Sequence, residues 1–178
     1  MRMALYRTCI AALVTGAATG CAETTAVDFA TIARPGILQL RDYAGAGTMW
    51  ESARDTTVRW TESPAQGTIV PAEVLVVPET VSVGQPFGVR VTTIGDSGCW
   101  RAESEGTAIS GHTVELTPFD AHSGHDICTT ALVGLLHEWR LTLDSPGEWT
   151  VRVRGRIARY GDDTWETPVA VEKVIVVH

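Results

Sequence analysis

The sequence has few of the residue patterns that mark enzymes and nucleic-acid binders. It contains no H-E-x-x-H metalloprotease motif, no G-x-S-x-G nucleophile turn and no phosphate-binding G-x-x-x-x-G-K-[ST] loop. Lysine occurs once, at Lys173, and the 178 residues carry a formal net charge of −7. An acidic domain repels the phosphates of nucleic acids. We therefore expect no nucleic-acid partner, no cofactor and no enzymatic activity.

One short segment is similar to a catalytic motif. Gly95-Asp96-Ser97-Gly98 resembles the G-D-S-G around the nucleophile of chymotrypsin-like proteases. Those enzymes carry their His, Asp and Ser in that chain order. Here the first histidine, His112, follows the serine. We interpret the segment as a glycine-rich turn at the end of a strand.

A short apolar run near the N-terminus predicts a secretory signal peptide over residues 1–20. Arg2 and Arg7 precede the run from Cys9 to Val14, and small residues follow it. The run is too short to span a membrane, so we expect it to be removed on export. Loss of its two arginines leaves 12 basic residues against 21 acidic ones, a net charge of −9.

The end of this signal resembles the lipobox of bacterial lipoproteins. Ala18-Thr19-Gly20-Cys21 matches the family at Gly20 and Cys21, and has Ala18 where the family usually has Leu. In that family the cysteine is diacylated and becomes the first residue of the mature protein. The resemblance implies a lipid on Cys21, a tether over residues 21–34 and a place in the cell envelope, at the outer membrane. An ordinary secretory signal that releases a soluble protein is the alternative.

Only two cysteines remain for the domain once Cys9 and Cys21 are assigned to the signal and the lipid. These are Cys99 and Cys128. In an exported chain two cysteines most simply form one disulfide. We expect it to join a strand end to a loop.

Alternating apolar and polar residues predict an all-β domain over residues 35–178. The alternation is clearest in four segments: 87–92, 113–116, 139–143 and 149–154. No window of twelve or more residues after the signal has convincing helical periodicity, and 131–139 is the best candidate. Gly and Pro turns separate the segments. We predict an immunoglobulin-like β-sandwich of about seven to nine strands.

Three finer predictions concern how this domain is assembled. Ser145-Pro146-Gly147 predicts a turn that joins the segments before and after it as a hairpin. The β-branched run from Val169 to Val177 predicts a strand in the middle of a sheet. Trp139 and Trp149 occupy inward positions of their strands, so we expect both in the core.

Residues 78–156 resemble a bacterial family of immunoglobulin-like lipoproteins. The resemblance rests on blocks in order, among them V-S-V-G-Q-P-F-G-V-R-V-T-T, V-E-L-T-P-F-D, H-E-W-R-L-T-L and S-P-G-E-W-T-V-R-V-R-G-R. It implies a sandwich fold and an envelope location, and the family brings no agreed activity. An antibody-type domain is excluded, because Trp100 directly follows the first cysteine and Asp126 stands where such domains place a tyrosine.

Four potential metal ligands crowd one polar loop: Asp120, His122, His125 and Asp126. Imidazoles and carboxylates at close spacing bind Zn²⁺ or Cu²⁺. Asp, Ser and Gly also form ordinary exposed turns. We favour the turn and keep the metal site as the alternative.

Arginines recur along one predicted strand face, at Arg152, Arg154 and Arg156. Such a stripe suits an anionic polysaccharide, a lipid headgroup or an acidic partner. The interpretation we favour is an outer face on which the arginines meet glutamates across strands.

The sequence as a whole favours a non-enzymatic envelope lipoprotein that presents a rigid domain for binding or structural contact. Its membrane attachment is the N-terminal lipid, and its partner is an envelope protein or a polysaccharide. Two alternatives remain open. One is a metal-binding periplasmic protein that uses the Asp120–Asp126 loop. The other is an inhibitor or partner-binding module that offers residues 119–127 to an envelope enzyme.

Overall fold

A computed structural model describes residues 33–41, 60–62, 68–125, 127–129 and 131–178. Side chains are described for these residues except 60–62, 69, 163 and 165. The predicted signal peptide, Cys21 and most of the tether lie outside the described residues, and so does Asp126. No helix long and apolar enough to cross a membrane occurs in the described part of the chain.

The described residues are all-β, as the alternation predicts. They form twelve strands: β1 Arg34–Pro35, β2 Ile37–Arg41, β3 Trp60–Glu62, β4 Ile69–Pro71, β5 Leu75–Val76, β6 Thr80–Val81, β7 Phe87–Gly95, β8 Trp100–Ser110, β9 Thr113–His122, β10 Val133–Leu141, β11 Gly147–Arg159 and β12 Asp162–Val177. Seven of them have five or more residues, and the other five have two or three. The segment 131–139, the best helical candidate, lies almost entirely in β10, because Leu135, His137 and Trp139 alternate inward.

All twelve strands belong to one curled, hydrogen-bonded sheet. β11 is its central strand: it pairs antiparallel with β12 and parallel with β9 and β2. β7 pairs antiparallel with β10 and β5. A single pairing, Ile37 of β2 with Ile94 of β7, connects these two groups of strands. This connectivity does not establish an immunoglobulin-like arrangement of the strands, so that part of the fold stays a prediction.

One apolar cluster fills the space between the two groups. Val91 and Trp139 reach it from β7 and β10, and Leu116, Val151 and Ile175 reach it from β9, β11 and β12. Each fully buried aliphatic side chain stabilises the fold by about 1.5–3 kcal/mol relative to exposure. Trp149 is 3% exposed in the same cluster, so both tryptophans predicted in the core are there.

The predicted hairpin around Ser145-Pro146-Gly147 is wrong. The strand before this turn, β10, pairs with β7, whereas the strand after it, β11, pairs with β12, β9 and β2. The turn therefore carries the chain from one group of strands to the other. Proline and glycine specify a change of direction, and the partner of each strand is decided by packing elsewhere.

The prediction of a central strand at 169–177 holds only at the end of the strand. β12 pairs with β11 along its length, but on its other side it pairs with β6 only at Val176 and Val177. Val174 is 62% exposed and Val176 44% exposed. β-Branched residues favour the extended backbone of a strand wherever it lies, so the run predicts a strand correctly without indicating its neighbours.

The predicted disulfide joins Cys99 to Cys128. Cys99 directly precedes β8, and Cys128 lies in the connection between β9 and β10. The disulfide therefore joins a strand end to a loop, as expected from the sequence.

Replacing both cysteines, Cys99→Ser with Cys128→Ser, should lower the free energy of unfolding by about 3–4 kcal/mol, because the bond closes a loop of 29 residues in the unfolded chain. Urea denaturation of the oxidised proteins measures the difference. Reductant should bring the wild type down to the variant and leave the variant unchanged. Equal stability of the two oxidised proteins would contradict the role of the bond.

Candidate functional site

A pocket of 420 Å³ opens where the start of β8 meets β1 and the end of β11. Six different strands and two connections contribute to it. Its charged and aromatic lining consists mainly of Arg34, Asp96, Trp100, His122, Arg156 and Asp162. The pocket thus combines apolar surface, including one indole ring, with charged side chains.

The indole of Trp100 is held in place from several sides. Its Nε1 donates a hydrogen bond of 2.7 Å to Asp96 Oδ1. The ring of His122 meets it edge-on at 5.3 Å between centroids. Gly95 allows the close approach, since a Cβ there would lie 2.7 Å from the Cβ of Trp100. The ring is therefore a preorganised wall of the pocket, which lowers the entropic cost of binding against it.

Arg156 supplies a buried positive charge beneath this ring. Its guanidinium carbon lies 5.8 Å from the centroid of the Trp100 ring. Nε donates to the carbonyl oxygen of Pro35 at 2.7 Å, and Nη1 donates to Glu166 Oε1 at 2.6 Å. Burial lowers the pKa of Arg156 from its ordinary value, and the carboxylate of Glu166 opposes this. Arginine stays charged at neutral pH even so.

A second arginine shares the same carboxylate. Arg34 Nη1 lies 3.3 Å from Glu166 Oε1, and its side chain is 37% exposed. Glu166 is already engaged at shorter range by the buried Arg156. Among the charged residues that line the pocket, arginine at 34, 156 and 159 outnumbers aspartate at 96 and 162. Glu166, which both Arg34 and Arg156 contact, balances this difference, so charges of both signs surround the pocket and Arg34 has the more exposed side chain of these two arginines.

The arginine stripe predicted along β11 divides into two parts. Arg152 pairs with Glu172 and Arg154 with Glu115, both at 2.6 Å on the exposed face, as the interpretation of an outer face with cross-strand pairs expects. Arg156, by contrast, is 6% exposed, because β1, β8 and β12 cover this end of the face. The sequence pattern does not indicate that other strands bury Arg156.

Three of the four residues of the predicted metal loop are described, and the structure does not bring them together as one group of ligands. Asp120 is buried, whereas His122 lines the pocket and accepts a hydrogen bond on Nδ1 from Gly124 N–H at 3.2 Å. His125 follows in the loop, and Asp126 lies outside the described residues. Within the described ranges, the group of three or more ligating side chains that the structure brings together is Cys99, His122 and Cys128. Asp120 and His125 are not part of this group, and the four-residue site as a whole stays a prediction.

Asp120 instead forms a buried cluster with Thr93 and His137. Asp120 Oδ1 lies 2.8 Å from His137 Nε2 and accepts a hydrogen bond of 3.0 Å from Thr93 Oγ1. Thr93 Oγ1 also lies 3.5 Å from the same nitrogen, His137 Nε2. A catalytic triad needs the carboxylate and the hydroxyl on opposite ring nitrogens. Both face one nitrogen here and all three residues are at most 1% exposed, so the cluster is structural.

His137 was missed as a site residue by the sequence analysis. The signal that finds it is the period-two pattern of β10, in which His137 shares the inward face with Leu135 and Trp139. A polar residue on such a face needs a partner in the core. That partner, Asp120, is 17 residues away and comes from β9.

Comparisons with known proteins do not assign the chain to a family. No protein-family model, no curated protein and no solved structure matches it. The resemblance to immunoglobulin-like lipoproteins therefore stays a prediction from the sequence, and the function has to be argued from the pocket's own side chains.

Asp120→Ala should lower the free energy of unfolding by about 2–4 kcal/mol, because it leaves the buried His137 and Thr93 without their shared acceptor. The matched control is Glu115→Ala on the same strand. Glu115 pairs with Arg154 at the surface, so its removal should change stability by no more than about 0.5 kcal/mol. Urea denaturation measures both. Similar losses in the two variants would contradict a structural role for the buried cluster.

Proposed function

We propose that this protein is a non-enzymatic, lipid-anchored envelope protein whose β domain binds an acidic saccharide in the Trp100 pocket. The observation that carries the proposal is the indole ring of Trp100, fixed by Asp96 and bordered by Arg34 and Arg156. The rest of the proposal follows from the size, the chemistry and the position of this pocket.

The size and the ring suit a sugar. Pockets for small ligands measure about 300–1,000 Å³, and 420 Å³ falls in that range. An indole offers a large, rigid apolar face to the C–H groups of a pyranose ring. The charged side chains around it supply hydrogen-bond donors and acceptors for the hydroxyl groups. A flat apolar wall beside a polar rim matches a ligand with one apolar face and a polar edge.

The exposure of Arg34 favours a carboxylate on that sugar. Arg34 and Arg156 both contact Oε1 of Glu166, but Arg34 does so at longer range and has 37% of its side chain exposed against 8% for Arg156. Arginine pairs with carboxylates through two parallel hydrogen bonds, which adds both strength and orientation. A uronic acid therefore fits the pocket better than a neutral sugar of the same size.

The pocket also lies at the end of the chain that we propose to be anchored. Arg34, which lines it, is the last residue of the predicted tether. The residues between Cys21 and Arg34 reach at most about 45 Å when fully extended. With a lipid on Cys21, the pocket therefore stays close to the membrane surface, where envelope polysaccharides are displayed.

Isothermal titration with trigalacturonate, and with maltotriose as the neutral probe, tests the proposal on the mature domain. We expect the acidic trisaccharide to bind more tightly than the neutral one. Trp100→Ala should weaken its binding by about tenfold or more, as loss of a central aromatic contact does. Arg34→Gln should remove most of the preference for the acidic sugar.

Arg154→Gln is the matched control. Like Arg34, Arg154 is an exposed strand arginine paired with a glutamate, but it does not line the pocket. Its affinity for trigalacturonate should equal that of the wild type. An unchanged affinity in Trp100→Ala, or equal losses in Arg34→Gln and Arg154→Gln, would refute the proposal.

A further inference from the structure

We propose that Cys99, Cys128 and His122 form a Zn²⁺ site when the disulfide is reduced. This goes beyond the proposed saccharide binding and does not depend on it. It also differs from the loop site expected from the sequence, since it uses neither Asp120 nor His125. The observation that supports this site is one imidazole placed beside the disulfide.

The ligand atoms already lie close together. The two Sγ atoms and one imidazole nitrogen are all within 4.8 Å of one another. His122 Nε2 lies 3.5 Å from Cys128 Sγ. Tetrahedral Zn²⁺, with Zn–S of about 2.3 Å and Zn–N of about 2.0 Å, holds a sulfur and a nitrogen ligand about 3.5 Å apart. One edge of the tetrahedron is therefore preformed in the oxidised protein.

Reduction is the step that completes the site. A dithiol reductant donates two electrons and two protons to the Cys99–Cys128 bond, and its own sulfurs join as a disulfide. The bond between the two protein sulfurs breaks and leaves two thiols. Binding of Zn²⁺ releases both thiol protons, so that the ion is held by two thiolates and a neutral imidazole. All three residues are partly exposed, so reductant and metal can reach them.

The surroundings can adapt to the ion. Binding through Nε2 places the ring proton on Nδ1, so the hydrogen bond that Nδ1 accepts from the exposed Gly124 N–H is given up to water. The next residue, Ser123, donates its backbone N–H to the Cys99 carbonyl at 2.9 Å. Its buried hydroxyl has no hydrogen-bond partner among the described residues. Three protein ligands leave a fourth position for water, and this hydroxyl is an available partner for it.

The same imidazole connects the metal site to the pocket. His122 lines the pocket and meets the Trp100 ring edge-on. An ion bound to Nε2 fixes that ring and places a positive charge near the indole. We therefore expect Zn²⁺ binding to change the tryptophan fluorescence of the reduced protein and to leave that of the oxidised protein unchanged.

The test is metal titration of the purified protein, oxidised or reduced with dithiothreitol and then freed of it under anaerobic conditions. Competition with a chromophoric chelator measures Zn²⁺, and the visible absorption of Co²⁺ reports tetrahedral thiolate coordination. We expect one ion per reduced chain and none per oxidised chain. Loss of a residue that only orients a metal ligand weakens metal binding by about tenfold or more. Loss of the ligand itself in His122→Ala should therefore weaken Zn²⁺ binding by more than about tenfold.

His125→Ala is the matched control, because His125 is the neighbouring loop histidine outside the ligand group. It should bind Zn²⁺ as tightly as the wild type, and Cys99→Ser with Cys128→Ser should bind none. Zn²⁺ binding by the oxidised chain, or equal effects of His122→Ala and His125→Ala, would overturn the proposal. Co²⁺ absorption of the reduced protein that does not depend on His122 would also overturn the proposal, because the cysteines of an unfolded chain would bind the ion without this imidazole.

Discussion

The pocket end of the molecule depends on the hydrogen bonds and the ion pair that the buried guanidinium of Arg156 forms. It projects from β11, the strand that pairs with β12, β9 and β2. A charge withdrawn from water needs fixed partners, since an unpaired one costs several kcal/mol. Those partners, the carbonyl of Pro35 and the carboxylate of Glu166, come from β1 and β12. One side chain therefore holds three strands together under the Trp100 ring.

The disulfide lies beside two residues that line the same pocket, Trp100 and His122. Cys99 directly precedes Trp100, so the bond to Cys128 fixes the point at which β8 begins. His122 contacts both the indole and Cys128 Sγ. The ligand-binding surface that we propose and the redox chemistry that we propose thus share one imidazole. We therefore expect a change in the oxidation state of the disulfide to affect the wall of the pocket through His122.

Much of the fold follows from local patterns, and little of the site does. Period-two alternation predicts β7 and β11 and places Trp139 and Trp149 in the core, because burial on one face is a property of each strand by itself. Strand partners are not local: the turn before β11 leads to a different group of strands. Likewise, the sequence groups Asp120 with the potential metal ligands of its loop, and only the fold shows that its partner is His137 of β10.

The most direct test of the central role of Trp100 is nuclear magnetic resonance of the indole N–H groups during titration with trigalacturonate. The Trp100 N–H, bonded to Asp96, should shift progressively and saturate. The N–H signals of Trp139 and Trp149 should stay in place, because both rings lie in the core away from the pocket. A Trp100 signal that does not move, or three signals that move together, would contradict a saccharide site built on this ring.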